Sequence, residues 1–264
     1  MAGRGSGRSV TSRALQVLEC FDVNHTSLSL SDIARRSGLP LATAHRLVGE
    51  LECWRALHRD DDGMYEIGSR LWNLGLLSPV HAELREVAAP FLIDVYEMAK
   101  DNVHLAVRDG RSALYVEKVA GRRSVALLSR NGGRLPLHAT GVGKALLAYA
   151  PDDVVRAVQG NLTAHTPFTI TDPARLVADL AEVRRRGYAT TVDEMTVGAS
   201  SVAVPVQASD GSVVASIGIV TSANHKDLPK YAPLLRAAAG GLSRRLPLSL
   251  SGGQADFLHD LQAV

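Results

Sequence analysis

Along the first 80 positions, apolar residues recur with helical spacing in three short runs and then change to alternation. "SVTSRALQVLECF" sets Ala14, Leu15, Leu18 and Phe21 on one stripe of a helix. The next run, 30–37, turns Ile33 and Ala34 inward, with Ser29 as its expected cap and Asp32 as the reciprocal carboxylate of a capping box. Gly38 supplies the positive φ on which such a helix stops. Pro40 is expected in the first turn of a third helix, where its missing N–H costs nothing. That helix, around 40–52, buries Ala44, Leu47, Val48 and Leu51 and leaves Thr43, His45, Arg46 and Glu50 outside. "ALHRDDDGMYEIG" then reads as a β-hairpin with Asp61, Asp62 and Gly63 at its tip. Helix, helix, tight turn, helix, hairpin is the order of a winged helix-turn-helix. The Ser37-Gly38-Leu39-Pro40 turn fixes the angle at which the third helix is presented.

From Ser69 the spacing is helical again, through Leu71, Leu74 and Leu77 and then Leu84, Val87, Ala88, Phe91, Leu92 and Val95. Pro79 breaks this stretch and Pro90 is expected to kink or restart it. It reads as a connector between domains. Beyond it strands and helices alternate. "NVHLAVRDGRSALYVEKV" is a hairpin turning at Asp109-Gly110, and "SVALLS" (124–129) is a further strand. "GVGKALLAYA" and "TDPARLVADLAEVRRRGY" are helices; the second opens on Thr171 or Asp172, has Pro173 first and stops at Gly187. "SSVAVPVQ" and "VVASIGIVT" flank Asp210-Gly211 as another hairpin, and a last amphipathic helix covers about 228–245. No internal repeat is evident. For a chain of 264 residues this is an α+β arrangement of two domains.

Composition narrows the class. Apolar residues make up 46% and charged residues 21%, as in ordinary globular chains. No apolar run approaches the roughly 18 residues of a membrane span, and MAGRGSGRS lacks the apolar stretch of a secretory signal. The two cysteines, Cys20 and Cys53, stand in runs read as helix without a C-x-x-C pair, which suits buried, reduced thiols in a cytoplasm and no zinc site. Net charge is +2, and the first 80 residues carry nine arginines against nine carboxylates. Composition therefore gives no footprint for nucleic acid, and any such case rests on placement.

Placement favours one. Thr43, His45 and Arg46 point outward just after a capped helix and tight turn, where Thr43 and Arg46 suit a base edge or phosphate and His45 can donate to either. Asp60-Asp61-Asp62 argues against phosphate contact at the hairpin tip, whereas Arg4 and Arg8, in a Gly-rich basic arm at 1–8, suit a minor groove. "TGVGKA" (140–145) is not a phosphate-binding P-loop, because His138 stands where its first Gly belongs and Ala145 follows Lys144. Its small residues fit either exposed N–H groups that attract an anionic ligand or a helix start packed closely on a sheet. "GASSV" lacks the second Gly of a nucleophile elbow. Adjacent strand residues face opposite ways, so only one of Ser200 and Ser201 can face a cavity, and Asp193 and Glu194 are parted likewise. His104, His138 and His165 have no ligand spacing. Nothing forms a catalytic set.

The ordered set "SRALQVLECF", "SLSDIARRSGLPLATAHRLVGEL", "YEIGSRLWNLG", "LPLHATGVGKALLA" and "RRRGYATTVDEMTVGASSVAVPV" resembles the isocitrate-lyase-regulator (IclR) family of bacterial transcription factors, over nearly the whole chain. The resemblance implies an N-terminal winged helix-turn-helix domain (9–77) after the arm 1–8, a linker helix (78–98), a GAF-like effector-binding domain (99–246) and a tail (247–264). It implies a cytoplasmic, cofactor-free and metal-free homodimer or dimer of dimers that binds double-stranded operator DNA and a small-molecule carboxylate. A repressor of a catabolic operon is expected, with an activator as the near alternative; an enzyme or ligand-binding protein whose winged helix binds protein is the more distant one. Carried over by position, the start of the recognition helix makes Leu41, Thr43, His45 and Arg46 DNA contacts, with Leu41 standing where many members have a polar residue. The effector pocket becomes Gly141, Val142, Gly143, Thr191, Ser201, Gly218 and Val220. Members that bind small keto acids have an acidic residue at position 191 and hydroxyls on the last strand. Thr191, Gly218 and Val220 therefore imply a roomier, less polar pocket for a larger acid, aromatic or derived from ring cleavage.

Overall fold

Ser9 opens the first helix, α1 (Val10–Leu18), by accepting a hydrogen bond from the Ser12 amide at 3.0 Å. A computed structural model describes residues 9–22, 25–76, 79–121, 131–222 and 228–246, so the basic arm, the strand expected at 124–129 and the tail lie outside the described residues. The chain divides into two compact units, 1–82 and 83–264.

In the first unit α1 is shorter than its apolar spacing suggests: Cys20 and Phe21 fall in the turn after it. A two-residue strand, β1 (Ser27–Leu28), precedes α2 (Leu30–Ser37), whose limits are those the pattern predicts. Ser29 Oγ accepts from the Asp32 amide at 3.1 Å and donates to Asp32 Oδ2 at 2.7 Å. The Asp32 carboxylate thus closes on the hydroxyl of its cap rather than on the Ser29 amide that a capping box would use. Those bonds, Ser29's first and Arg35's second, hold the Asp32 carboxyl below its usual range. Gly38 ends α2 at φ 65°, with the Gly38 amide on Arg35 O and the Leu39 amide on Ala34 O, a Schellman turn. Pro40 sits one position earlier than expected. It is extended (φ −54°, ψ 140°) and caps α3 (Leu41–Cys53) with its carbonyl, which accepts from Thr43 and Ala44 at 2.9 Å.

Val17, Ile33, Leu47, Val48, Leu57 and Tyr65 form the core beneath α3. Gly49 lies on its exposed face, and a Cβ added there would meet nothing within 4 Å. Gly49→Ala is accordingly expected to stabilise this unit by about 0.5–1 kcal/mol, read as a higher urea midpoint. The hairpin is β2 (Leu57–Arg59) and β3 (Tyr65–Ile67), and β1 pairs with the other edge of β3, giving a third strand too short to show a period in the sequence. Asp60 Oδ1 accepts from the Met64 amide at 2.8 Å across the tip. Cys20 is buried, and burial pushes its thiol up, but Cys53 is exposed at the end of α3, against the expectation that both would be buried. Helix α4 (Ser69–Leu76) follows.

Helix α5 (Pro79–Ala99) runs through Pro90 without interruption. The stripe Leu84, Ala88, Leu92 and Val95 is buried on both sides of Pro90, and that burial outweighs the one helical hydrogen bond the ring removes. The rest of the second unit is built on an antiparallel sheet of β4 (Asn102–Asp109), β5 (Ser112–Val119), β6 (Arg134–Pro136), β7 (Ala189–Val192), β8 (Ala199–Gln207) and β9 (Val213–Ser222). The order is β6-β5-β4-β9-β8-β7. Alternation sorts the strands into two faces. Val103, Leu105, Val202, Val204, Ile217 and Ile219 meet α5 and α9 (Ala232–Ser243), which follows a 3-10 turn at Leu228–Tyr231. Ala106, Tyr115, Ala203 and Ala189 meet α6 (Gly141–Leu147) and α8 (Pro173–Arg186), and α7 (Asp152–Gln159) adds Val158. Because both faces are covered, "SSVAVPV" is buried nearly throughout instead of alternating. Asp172, not Thr171, caps α8, accepting from the Arg175 amide at 2.7 Å. The apolar pattern does not signal α7 or the short edge strand β6. Among the described residues no helix is long and apolar enough to cross a membrane.

Candidate functional site

Two surfaces gather the residues singled out from the sequence, one in each unit. On α3, the stripe Ala44, Leu47 and Val48 is buried, which by helical geometry sends Leu41, His45 and Arg46 outward; all three are exposed, and Thr43 is half-buried. Arg46 Nη1 meets Glu50 Oε1 at 2.5 Å one turn on, both well exposed, so the guanidinium is steadied on the outer face while remaining accessible. Arg4 and Arg8 lie outside the described residues.

In the second unit a cavity opens between the sheet and the start of α6. Its walls include His104, Tyr115, Thr140, Gly141, Val142, Thr191, Met195, Ser200, Ser201, Gly218 and Val220. The register explains the convergence, since His104 is opposite Gly218, Ser201 opposite Val220, and Thr191 opposite Ser201. Gly143 belongs to the α6 turn but does not line the cavity; a Cβ there would lie 2.5 Å from Leu137 O. A Cβ on Gly141 would approach Ser201 Oγ to 2.5 Å, and one on Gly218 would meet Val142 Cγ1 at 2.9 Å and Ala203 Cβ at 3.0 Å. These glycines let α6 lie close on the sheet. The space that the missing Gly218 side chain would leave is filled by Val142, so the extra room expected at this position is not there. The volume open to the centre of a water molecule is about 50 Å³, enough for roughly three or four waters.

Several polar groups in the cavity pair with one another, while Ser200 Oγ is buried there with no hydrogen-bond partner among the described residues. The Gly141 amide donates to Ser201 Oγ at 3.2 Å, and Ser201 Oγ lies 2.5 Å from Thr191 Oγ1. The Gly143 amide donates to Thr140 Oγ1, the side chain that caps α6. Burial pushes His104 down to about 3, with Lys118 adding to it, and burial pushes the Tyr115 hydroxyl up despite its bond to Thr140. Both rings, packed edge to face at 5.1 Å, are therefore neutral at neutral pH. The cavity offers hydroxyls, amides and apolar walls and no fixed charge. Sequence reasoning missed His104, Tyr115, Met195 and Ser200 as lining residues.

Lys144, the residue that gave "TGVGKA" its P-loop look, is fully buried. Its Nζ lies 2.7 Å from Asp179 Oδ2 and 2.7 Å from Glu194 Oε1. The charge is spent internally, tying α6 to α8 and to the loop that carries Met195 and Thr196 into the cavity wall. Burial pushes the Glu194 carboxyl above its usual range, Lys144 opposing and Asp179 adding. Asp193 faces elsewhere, accepting from the Gly198 amide at 2.6 Å. Among the described residues no three His, Cys, Asp or Glu side chains gather in a way that would hold a metal ion.

Comparison with known proteins agrees with this two-part architecture. Residues 10–61 match the IclR helix-turn-helix domain and residues 78–244 match the bacterial transcriptional regulator IclR C-terminal domain. The chain is 32% identical to the HTH-type transcriptional regulator XynR of Escherichia coli K12, over 89% of this chain and 95% of that protein. It is 31% identical to the HTH-type transcriptional repressor AllR of the same strain, over 81% of this chain and 80% of that one. A crystal structure of an IclR homolog from Microbacterium hydrocarbonoxydans, complexed with 4-hydroxybenzoate, superposes with a TM-score of 0.83 at 36% identity, covering 89% of this chain and 98% of that one. The chain belongs to the IclR family of bacterial transcriptional regulators, DNA-binding proteins rather than enzymes.

Proposed function

We propose that this regulator is a cytoplasmic repressor of a catabolic operon, acting as a homodimer or dimer of dimers, and that an aromatic or ring-cleavage acid in the α6 cavity releases it from DNA. The observation that carries the ligand class is the cavity itself: neutral donors at one end, apolar walls elsewhere, no cation among its lining residues. A carboxylate there takes the place of Ser201 on the Gly141 amide and accepts from Thr191 and Ser201, while the ring or chain lies against Val142 and Val220. The 4-hydroxybenzoate in the Microbacterium relative supports the same class. Room for a few waters is small for such an acid, so the Met195–Gly198 loop, where Val197 is 64% exposed, gives way on binding.

On DNA, Thr43, His45 and Arg46 of α3 reach bases and phosphates, Leu41 adds apolar contact, and Arg4 and Arg8 of the arm follow the minor groove. Ligand that binds one subunit arrangement more tightly shifts the population toward it, and the connecting segment changes the spacing of paired recognition helices.

Fluorescence anisotropy with DNA from upstream of the chain's own gene and with random-site pools, at two salt concentrations and with aromatic and keto acids, tests this reading. Salt-sensitive, sequence-selective binding that an aromatic acid weakens supports it. Release only by acids of three carbons or fewer, or selective binding that every acid leaves unchanged, sinks the ligand class. In the same assay Thr191→Val and Ser201→Ala are each expected to weaken the acid's effect about tenfold or more, the scale of a lost hydrogen bond to a charged group. Binding to DNA without acid should stay unchanged.

A further inference from the structure

A second cleft lies on the other side of the segment that leads into α6. It is about 320 Å³ and is lined by Arg111, Arg134, His138, His165, Asn161 and Thr163 over an apolar floor that includes Leu135 and Val158. Two arginines and two histidines line it and no acidic residue does; burial pushes His138 toward its neutral form, so the standing charge is that of the arginines. Leu135 lines this cleft and the α6 cavity alike, so the two sites share a wall.

The side chains are set rather than loose. His138 is buried, its Nε2 3.0 Å from Thr163 O. A carbonyl only accepts, so Nε2 carries the proton and Nδ1 is turned away from it. The His165 ring lies 5.8 Å from that of His138. Arg134 meets Asp109 through Nε at 2.6 Å, which offsets part of its charge but leaves the terminal nitrogens of the fork to donate. Arg111 is exposed beside it. The carbonyl end of α7 also borders the cleft and works against an anion; the Gly160 and Asn161 amides already meet two of those carbonyls, on Arg156 and Val158.

We propose that this cleft is an accessory oxyanion site, taking a small organic phosphate or carboxylate with its head on Arg111 and Arg134, its flank on the two histidines and its body on the apolar floor. Occupancy braces the 135–140 segment from behind and so reaches the α6 cavity. The site does not depend on the ligand class proposed for that cavity.

The test is a titration of the full chain with inorganic phosphate and with phenyl phosphate at constant ionic strength, read on the histidine ring signals by NMR. His138, His165 and His104 are assigned by single exchanges. Saturable movement of the His138 and His165 signals, with a midpoint of about a millimolar or below, is expected, phenyl phosphate binding tighter than phosphate. Arg111→Ala with Arg134→Ala abolishes it, and Arg111→Glu does so alone; both residues are exposed, and an unchanged urea midpoint shows the fold intact. Thr191→Val with Ser201→Ala leaves it in place. Movement that stays linear in anion, or that survives loss of both arginines, overturns the site. A His104 signal that stays fixed while the other two saturate overturns the link to the α6 cavity.

Discussion

Lys144→Ala is expected to cost the second unit about 3–5 kcal/mol, the scale for removing one partner from a buried ion pair. The lower half of that range is the better guide, because Asp179 retains 24% side-chain exposure even though Lys144 keeps 1% and Glu194 9%. Without the ammonium, two carboxylates face each other across a site from which water is largely excluded. The stem of the lysine also leaves a void. The pH dependence has a definite sign. Glu194 already titrates above the usual glutamate value, and loss of its cationic partner raises it further. A carboxyl whose folded pKa is raised contributes stability below its unfolded value and loses it as pH rises through the folded one. The variant therefore regains stability as pH falls from about 7.5 toward 5, and the gap to the parent narrows. Urea unfolding at the two pH values checks both the cost and its trend. Lys144→Met combined with Glu194→Gln should recover much of the loss, since a neutral isostere removes the more deeply buried of the two unpaired charges and leaves only the partly exposed Asp179. A cost under about 1 kcal/mol for Lys144→Ala would mean that water solvates the carboxylates and that the triad holds nothing.

This lysine also shows what could be read from the chain and what could not. The winged helix was legible because its signals are local: Ser29, Asp32, Gly38 and Pro40 mark boundaries within a few residues of where they act, and the limits of α2 follow directly. The acidic hairpin tip and the cap-and-stop of α8 are legible for the same reason. β1 was not, because two residues carry no periodicity, and α7 was not, because its apolar face is only Val154, Val155 and Val158 between acidic and polar residues. Pro90 misled because the penalty of a proline is local whereas the burial that overrides it comes from strands far along the chain.

The cavity was half legible. Alternation admits only one of Ser200 and Ser201 to the cavity, yet both border it; the β8–β9 hairpin does set Ser201 opposite Val220 from its tip. His104 and Tyr115 could not be added, because β4 joins β9 across more than 100 residues and no local signal carries that pairing. The glycines of "TGVG" admitted two readings, ligand binding and close packing. Both hold in part: Gly141 and Gly218 are small so that α6 can touch the sheet, and the cavity lies beside that contact. An inference of room from a missing side chain fails wherever a neighbour moves in, as Val142 does.

His45→Ala with Arg46→Ala is expected to abolish selective operator binding while leaving the fold intact. Each base contact of this kind is worth about 1–3 kcal/mol, and the symmetric dimer proposed above loses two in each subunit, so the combined loss is about 1,000-fold if both side chains read bases. Both side chains are exposed on α3, and neither touches the core of Val17, Ile33 and Leu47. The thermal midpoint should therefore move little, apart from the exposed Arg46–Glu50 pair, which contributes a few tenths of a kcal/mol. That pair adds a second expectation. Glu50 competes with DNA for the guanidinium and places a carboxylate near the phosphates, so Glu50→Gln should strengthen binding, and more so at low salt. Removing Arg46 alone should flatten the dependence of log K on log salt by about one for each phosphate lost. Removing His45 alone should relax sequence preference with less change in that slope. Operator titrations at several salt concentrations separate these outcomes. If the double variant bound as the parent does, with both selectivity and salt slope preserved, α3 would not be the reading helix. The fixed angle set by the Ser37-Gly38-Leu39-Pro40 turn would then serve some other contact.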